Sequence, residues 1–170
     1  MKVRIAGYKK HSMVNGPGVR FVLFLQGCPH HCRGCQNPDT WDPAGGQEAE
    51  TERLIELIAR TRYLDGITLS GGDPLCQPAA AAQIAQAARQ AGLSVWCYTG
   101  WTLEQVLAGE AGPAARDRLL PLVDVLVDGP FEEEKLSDAC IWRGSTGQRL
   151  IDVKASLAAG HACLADPDAL

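Results

Sequence analysis

One hundred and seventy residues are enough for one domain with a real core. Hydrophobic residues at 46% and charged residues at 21% exclude a chain that is mainly disordered. A net charge of −4 gives no reason to expect nucleic-acid binding. The longest strongly apolar run, Phe21–Leu25, is far short of the roughly 20 residues that a membrane-spanning helix needs.

The opening Met1-Lys-Val-Arg-Ile-Ala-Gly-Tyr-Lys-Lys10 alternates charged with apolar residues and lacks the continuous apolar core of an export signal. A cytoplasmic protein is expected. Charge is unevenly spread. Lys2, Arg4, Lys9, Lys10, Arg20 and Arg33 face only Asp39 within the first forty residues, so that segment builds a positive field.

In chain order, Asn15-Gly-Pro-Gly18 is a turn signal, and Val19–Gln26 reads as a strand buried on both faces. Thr51–Arg62 reads as an amphipathic helix with Thr51 at its N-cap and Leu54, Ile55, Leu57 and Ile58 along one stripe. Gly66–Ser70 is a short strand running into Gly71-Gly72-Asp73-Pro74. Pro78–Ala91 is an alanine-rich helix with Pro at its start and Gly92 beyond its end.

Leu93–Thr99 is a third strand and runs into Gly100-Trp101. Two short helical pieces, 102–107 and 116–120, precede a fourth strand, Val123–Asp128, and Gln148–Val153 is a candidate fifth. Strands alternating with helices imply an α/β fold with a parallel sheet. A closed eight-fold barrel takes about 250 residues. At about 30 residues per βα unit, this chain is expected to form a single-domain, open, partial TIM-like barrel of five or six parallel strands. The domain is expected to span residues 1–154, with 155–170 a compositionally weak tail that could fray.

The glycine- and cysteine-bearing loops at Gly27-Cys28, Gly71-Gly72, Thr99-Gly100 and Asp128-Gly129 each follow a strand. In parallel α/β sheets the carboxyl ends of the strands share one side, so these four loops should surround one mouth.

Seven cysteines, an odd number with no export signal, argue against a disulfide framework. Cys28, Cys32 and Cys35 crowd into one loop as C-x3-C-x2-C. Three thiolates can hold three corners of a 4Fe–4S cluster and leave one iron open. The spacing also admits a Cys3His zinc site using His30 or His31, although zinc ribbons draw ligand pairs from two separate loops and no second pair exists. Unligated thiols are the third reading.

These pieces together resemble the radical S-adenosylmethionine superfamily and, within it, the family of activating proteins of anaerobic (class III) ribonucleoside-triphosphate reductase. The resemblance rests on Asn15-Gly-Pro-Gly18, Gln26-Gly-Cys28, Gly34-Cys35, Asn37 with Thr40-Trp41, and Leu69-Ser-Gly-Gly-Asp-Pro-Leu75. It continues through Tyr98-Thr-Gly-Trp101, Val125-Leu-Val-Asp-Gly129 and Ile141-Trp-Arg-Gly-Ser145 with Gln148. Three positions depart from the pattern: Gly34 where the wider superfamily often has an aromatic, Gln36 where tyrosine is common, and Gly147 where this group often has asparagine.

The resemblance implies a 4Fe–4S cluster on Cys28, Cys32 and Cys35, with S-adenosylmethionine as an exchangeable ligand of the open iron. Gly34, Cys35 and Gln36 would meet its adenosine, and Gly71, Gly72 and Asp73 its methionine end. The radical comes from the cofactor, so no catalytic acid–base pair is expected. The implied activity is abstraction of hydrogen from a glycine of the partner reductase, with a flavodoxin-like electron donor docking on the positive N-terminal segment. Activation of another glycyl radical enzyme, of the formate-lyase type, is the nearest rival. A non-catalytic metal-binding module and a small-molecule radical enzyme are further alternatives.

On turn statistics alone, Gly71-Gly72-Asp73-Pro74 is an ordinary turn. Tyr98, Trp101 and Trp142 read as core or rim aromatics. Cys76 and Cys97 read as small hydrophobes, His30 and His31 as solvent-facing, and Glu132-Glu133-Glu134 as a solvated face.

Overall fold

A computed structural model describes all residues from Met1 to Leu170. Seven strands form one mixed, open sheet. They are β1 (Lys2–Ser12), β2 (Arg20–Leu25), β3 (Gln47–Glu50), β4 (Gly66–Gly71), β5 (Ser94–Tyr98), β6 (Val125–Asp128) and β7 (Arg149–Asp152), in the spatial order β3-β1-β2-β4-β5-β6-β7. The edge strands β3 and β7 do not pair with each other, so the sheet does not close.

Four strands, β2, β4, β5 and β6, run parallel, fewer than the five or six expected. The candidate fifth strand is β7, but it pairs antiparallel to β6 because the connection after β6 contains no crossover α-helix. On the other side, β1 joins β2 antiparallel and carries β3 antiparallel in turn. The charge alternation near the N-terminus is therefore the period-two pattern of an edge-region strand, with Val3 and Ile5 buried.

Helices α1 (Thr51–Arg60), α2 (Pro78–Gln90) and α3 (Leu103–Ala108) pack on one face of the sheet. Alternate strand residues (Phe21, Leu23, Leu25; Ile67, Leu69; Val95, Cys97) meet them in a core of 27 buried side chains. At about 1.5–3 kcal/mol per fully buried large aliphatic side chain, this face dominates stability. Thr51 is the first residue of α1 and not its cap: its hydroxyl donates to Gln83 Oε1 on α2 at 2.7 Å. Thr102 does cap α3, through a reciprocal bond pair with Gln105.

The opposite face carries a smaller cluster of Trp96, Val125, Val127 and Leu150, joined by Tyr98 and Trp142. Arg20 is fully buried there with no carboxylate partner. Its guanidinium donates to Thr68 Oγ1 (2.8 Å), Ile67 O (2.6 Å) and Ser94 Oγ (3.0 Å) and lies 5.4 Å from the centre of the Trp96 ring. Burial lowers its pKa to about 10.

Beyond β7, helix α4 (Val153–Ala159) straddles the expected 154/155 boundary, with its first two residues before it. The tail then turns back along β7, with Ala165 N donating to Leu150 O at 2.8 Å.

Candidate functional site

The loops that follow β2, β4, β5 and β6 meet at one end of the sheet, as the strand pattern required. They are tied in sequence by hydrogen bonds. Asp73 N donates to Gly27 O (2.7 Å), Gly100 N donates to Asp73 Oδ2 (3.0 Å), and Gly129 N donates to Trp101 O (3.0 Å).

The cysteine loop has a closed base. Gly27 N donates to Thr40 O (2.8 Å) and Cys28 N to Trp41 O (3.0 Å). Beneath them the buried Gln26 side chain donates to both Asp39 O (2.9 Å) and Asp42 O (2.8 Å). Gln77 locks the same corner by donating to Gln26 O (2.9 Å) and Arg4 O (2.7 Å). A buried amide costs free energy unless its donors are used, and here each is spent on backbone that would otherwise be loose.

Within the loop Cys28, Cys32 and Cys35 are all partly exposed, and Cys35 N donates to Cys32 O at 3.1 Å, closing a turn. Burial raises the Cys28 thiol above its ordinary value, a rise that the amide N–H groups of His30 and His31 only partly oppose. Asn37 N–H points at Cys35 Sγ at 3.4 Å. Amide donors aimed at sulfur suit thiolates that ligate metal. No three His, Cys, Asp or Glu side chains converge as ligands of one ion would, whereas a cubane spreads its thiolates over separate irons. Three thiols on one loop are a donor set that fits such a cluster.

Asp73 occupies the centre. It is fully buried, and its carboxylate accepts from Leu75 N (2.9 Å), Thr99 Oγ1 (2.8 Å), Gly100 N (3.0 Å) and His30 Nε2 (2.9 Å). The carboxylate thereby ties three loops together. His30 is correspondingly turned inward, contrary to the solvent-facing expectation. Its ring meets Trp101 edge-on at 4.8 Å. Gly100 makes room for it, since a Cβ there would lie 2.3 Å from the His30 ring. His31 is exposed and stacks on Trp41 at 4.8 Å.

Gly72 is required by packing: a Cβ would lie 2.4 Å from Gly27 O. Its N–H donates to Leu25 O at 2.8 Å, while its own carbonyl accepts no hydrogen bond within the chain. Gly71 is likewise pressed against the Leu25 backbone. Gly34 has φ +74° and rests against Glu133, which also pairs with Arg33 at 3.2 Å. Gln36 is exposed. The acidic run is thus partly tied to the cysteine loop rather than wholly solvated.

Cys97 is fully buried, as a small hydrophobe should be. Cys76 is not. It is exposed and lines, with Cys28, a cavity of about 390 Å³ that also touches Arg4, Gln26, Trp41 and Gln77.

A family model described as a 4Fe-4S single cluster domain matches residues 14–151. The anaerobic ribonucleoside-triphosphate reductase-activating protein of Vibrio cholerae is 36% identical over 83% of this chain and 92% of its own length. The Escherichia coli K12 protein of the same name is 37% identical over 83% and 93%. That of Enterobacteria phage T4 is 38% identical over 81% and 86%. This chain belongs to that family. Its shared span takes in the cysteine loop and all four loops at the mouth, and it carries one 4Fe–4S cluster. Among solved structures, the crystal structure of QueE from Escherichia coli overlaps 60% of this chain and 54% of that one at a TM-score of 0.47 and 21% identity, too slight a likeness to bear on barrel closure or activity.

Gln26, His30, Thr99 and Gln77 are the site residues that motif reading left without a role. For Gln26 and Thr99 the signal was a polar residue directly after an apolar strand, whereas His30 in the cysteine loop and Gln77 before α2 carried none.

Proposed function

We propose that this chain is an activase: a radical S-adenosylmethionine oxidoreductase that installs the glycyl radical of anaerobic ribonucleoside-triphosphate reductase. The observation that carries this is the three-cysteine loop knotted through Asp73 to the Gly-Gly loop, in a chain whose relatives of that name align over nearly their whole length. When bound, the cluster and S-adenosylmethionine supply a 5′-deoxyadenosyl radical, which takes hydrogen from a glycine of the reductase.

The chain's own residues place and shield this chemistry. Cys28, Cys32 and Cys35 hold the cluster and leave one iron to the cofactor. The free Gly72 carbonyl, beside Gly71, is the acceptor for the cofactor's ammonium group, and the backbone of Gly34, Cys35 and Gln36 faces its adenosine. Asp73 positions these loops. The open sheet belongs to a partial TIM-like barrel, formed by residues 1–154, whose unclosed side admits a protein segment. The segment from 155 continues helix α4 and returns along β7.

The electron donor is a flavodoxin-like acidic protein that docks near exposed Lys9 and Lys10 in the cytoplasm. No helix is long and apolar enough to cross a membrane. Choice of the reductase over a formate-lyase type partner is supported by the 141–149 loop, which Gln148 Oε1 organises by accepting from Gly144 N (3.0 Å) and Ser145 N (3.1 Å).

The test is anaerobic reconstitution with iron and sulfide, reduction, addition of S-adenosylmethionine and assay for 5′-deoxyadenosine. The wild type is expected to form it and Cys28→Ala not to. A colourless, zinc-loaded wild type that makes none would leave a metal-binding module instead.

A further inference from the structure

Cys76 is neither a cluster ligand nor, unlike Cys97, part of the core, and it is the cysteine outside the cluster loop that lines a cavity with Cys28. It ends the turn Pro74–Cys76 immediately after the Gly-Gly-Asp loop. Cys28 and Cys76 line the same cavity. A Cβ placed on Gly27, the neighbour of Cys28, would lie 4.0 Å from Cys76 Cβ. The two segments are pinned to each other, Asp73 N donating to Gly27 O at 2.7 Å and Cys76 N to Asp73 O at 3.0 Å.

Three ligand cysteines cannot all pair among themselves once a cluster is lost. Cys32 and Cys35 close a single turn and are natural partners. Cys28 is then the odd one, and its cysteine neighbour across the cavity is Cys76. We propose that Cys76 is the redox partner of Cys28, forming a Cys28–Cys76 disulfide in cluster-free protein exposed to a low-molecular-weight disulfide. One thiolate of the pair attacks that disulfide and releases one small thiol. The other thiolate then attacks the mixed disulfide and releases the second. Two protein thiols are oxidised, and one small disulfide is reduced to two thiols. Iron on the Cys28 sulfur blocks the reaction, so the bond belongs to the cluster-free chain. There it holds Cys28 at a level that thiols can reverse, short of sulfinic acid.

The inference rests on Cys28 being a cluster ligand, and it is tested without the loaded enzyme. The full chain is stripped of iron by chelation, incubated with oxidised glutathione, alkylated with iodoacetamide and digested with trypsin without reductant. Cleavage leaves Cys28 and Cys32 in segment 21–33 and Cys76 in segment 63–89. Mass spectrometry is expected to find 63–89 joined to 21–33 through Cys28. In Cys76→Ser, Cys28 is expected to carry glutathione instead, and after a peroxide challenge followed by thiol reduction its iron uptake should fall at least two-fold below wild type. Cys76 found alkylated in oxidised wild type, or Cys28 joined to Cys32 or Cys35, would overturn the proposal. Failure of the proposed function reads differently, as absence of 5′-deoxyadenosine from untreated, reconstituted wild type.

Discussion

Asp73→Asn separates a positioning role for this residue from a ligand-binding one. The substitution keeps size and shape, but an amide has one acceptor atom where the carboxylate has two. Oδ2 accepts from Gly100 N and His30 Nε2, and Oδ1 accepts from Leu75 N. Either orientation of the new amide therefore sets an NH2 group against a buried backbone N–H. The loss is one charge-assisted hydrogen bond plus one unsatisfied buried donor, about 3 kcal/mol in sum. With a urea slope of about 2 kcal/mol/M, the midpoint of unfolding falls by about 1.5 M. The assay is urea unfolding of cluster-free protein followed by circular dichroism, so that neither iron nor cofactor enters the comparison. A midpoint within about 0.2 M of wild type would refute the buried network and return Asp73 to direct contact with the methionine end of the cofactor.

Gly72→Ala places a methyl group 2.4 Å from Gly27 O and is expected to cost about 1–3 kcal/mol and to lower iron uptake, measured by unfolding and by iron content per chain. Arg20→Lys loses the planar fork that reaches Thr68, Ile67 and Ser94 at once, and should cost about 3 kcal/mol in the same unfolding assay. Burial raises the Tyr98 phenol above its ordinary value, so its contribution to stability is present below about pH 10 and is lost as pH rises further. Tyr98→Phe should accordingly flatten the fall of stability on the alkaline side, read from urea midpoints across that range. Charge reversal at Lys9 and Lys10 is expected to slow reduction by flavodoxin at low salt and to matter little at high salt; an unchanged rate at low salt removes that docking surface.

The parts of the fold legible in the sequence are those where one physical signal dominates. Phe21–Leu25 announces a doubly buried strand by its unbroken apolar run, and the glycine-bearing ends of β4 and β5 announce a shared mouth. The edges were less legible. Gln47-Glu-Ala-Glu50 has little strand propensity and pairs because β1 presents an open edge, with Lys2 and Glu48 in an ion pair at 2.7 Å. The direction of β7 depends on what lies between β6 and β7, which local pattern does not encode.

At the site, the cysteine spacing pointed to a metal loop while leaving cluster, zinc and free thiols open, and the family match decides for the cluster. The supports were hidden, because they are long-range. His30 reaches Asp73 across 43 positions and Gln26 binds carbonyls 13 and 16 positions away. Gly72 illustrates the same limit. The atoms that a side chain there would meet, Gly27 O and Thr40 O, belong to the loop after β2, far away in sequence.

The central claim is tested most directly by electron paramagnetic resonance on the partner. Reconstituted, reduced protein is mixed with S-adenosylmethionine and anaerobic ribonucleoside-triphosphate reductase, and in parallel with a glycyl radical enzyme of the formate-lyase type. The account predicts a glycyl radical signal on the reductase alone, absent when Cys28, Cys32 or Cys35 is replaced by alanine. A signal on the formate-lyase type enzyme and none on the reductase, or signal that survives loss of a cluster cysteine, would contradict it.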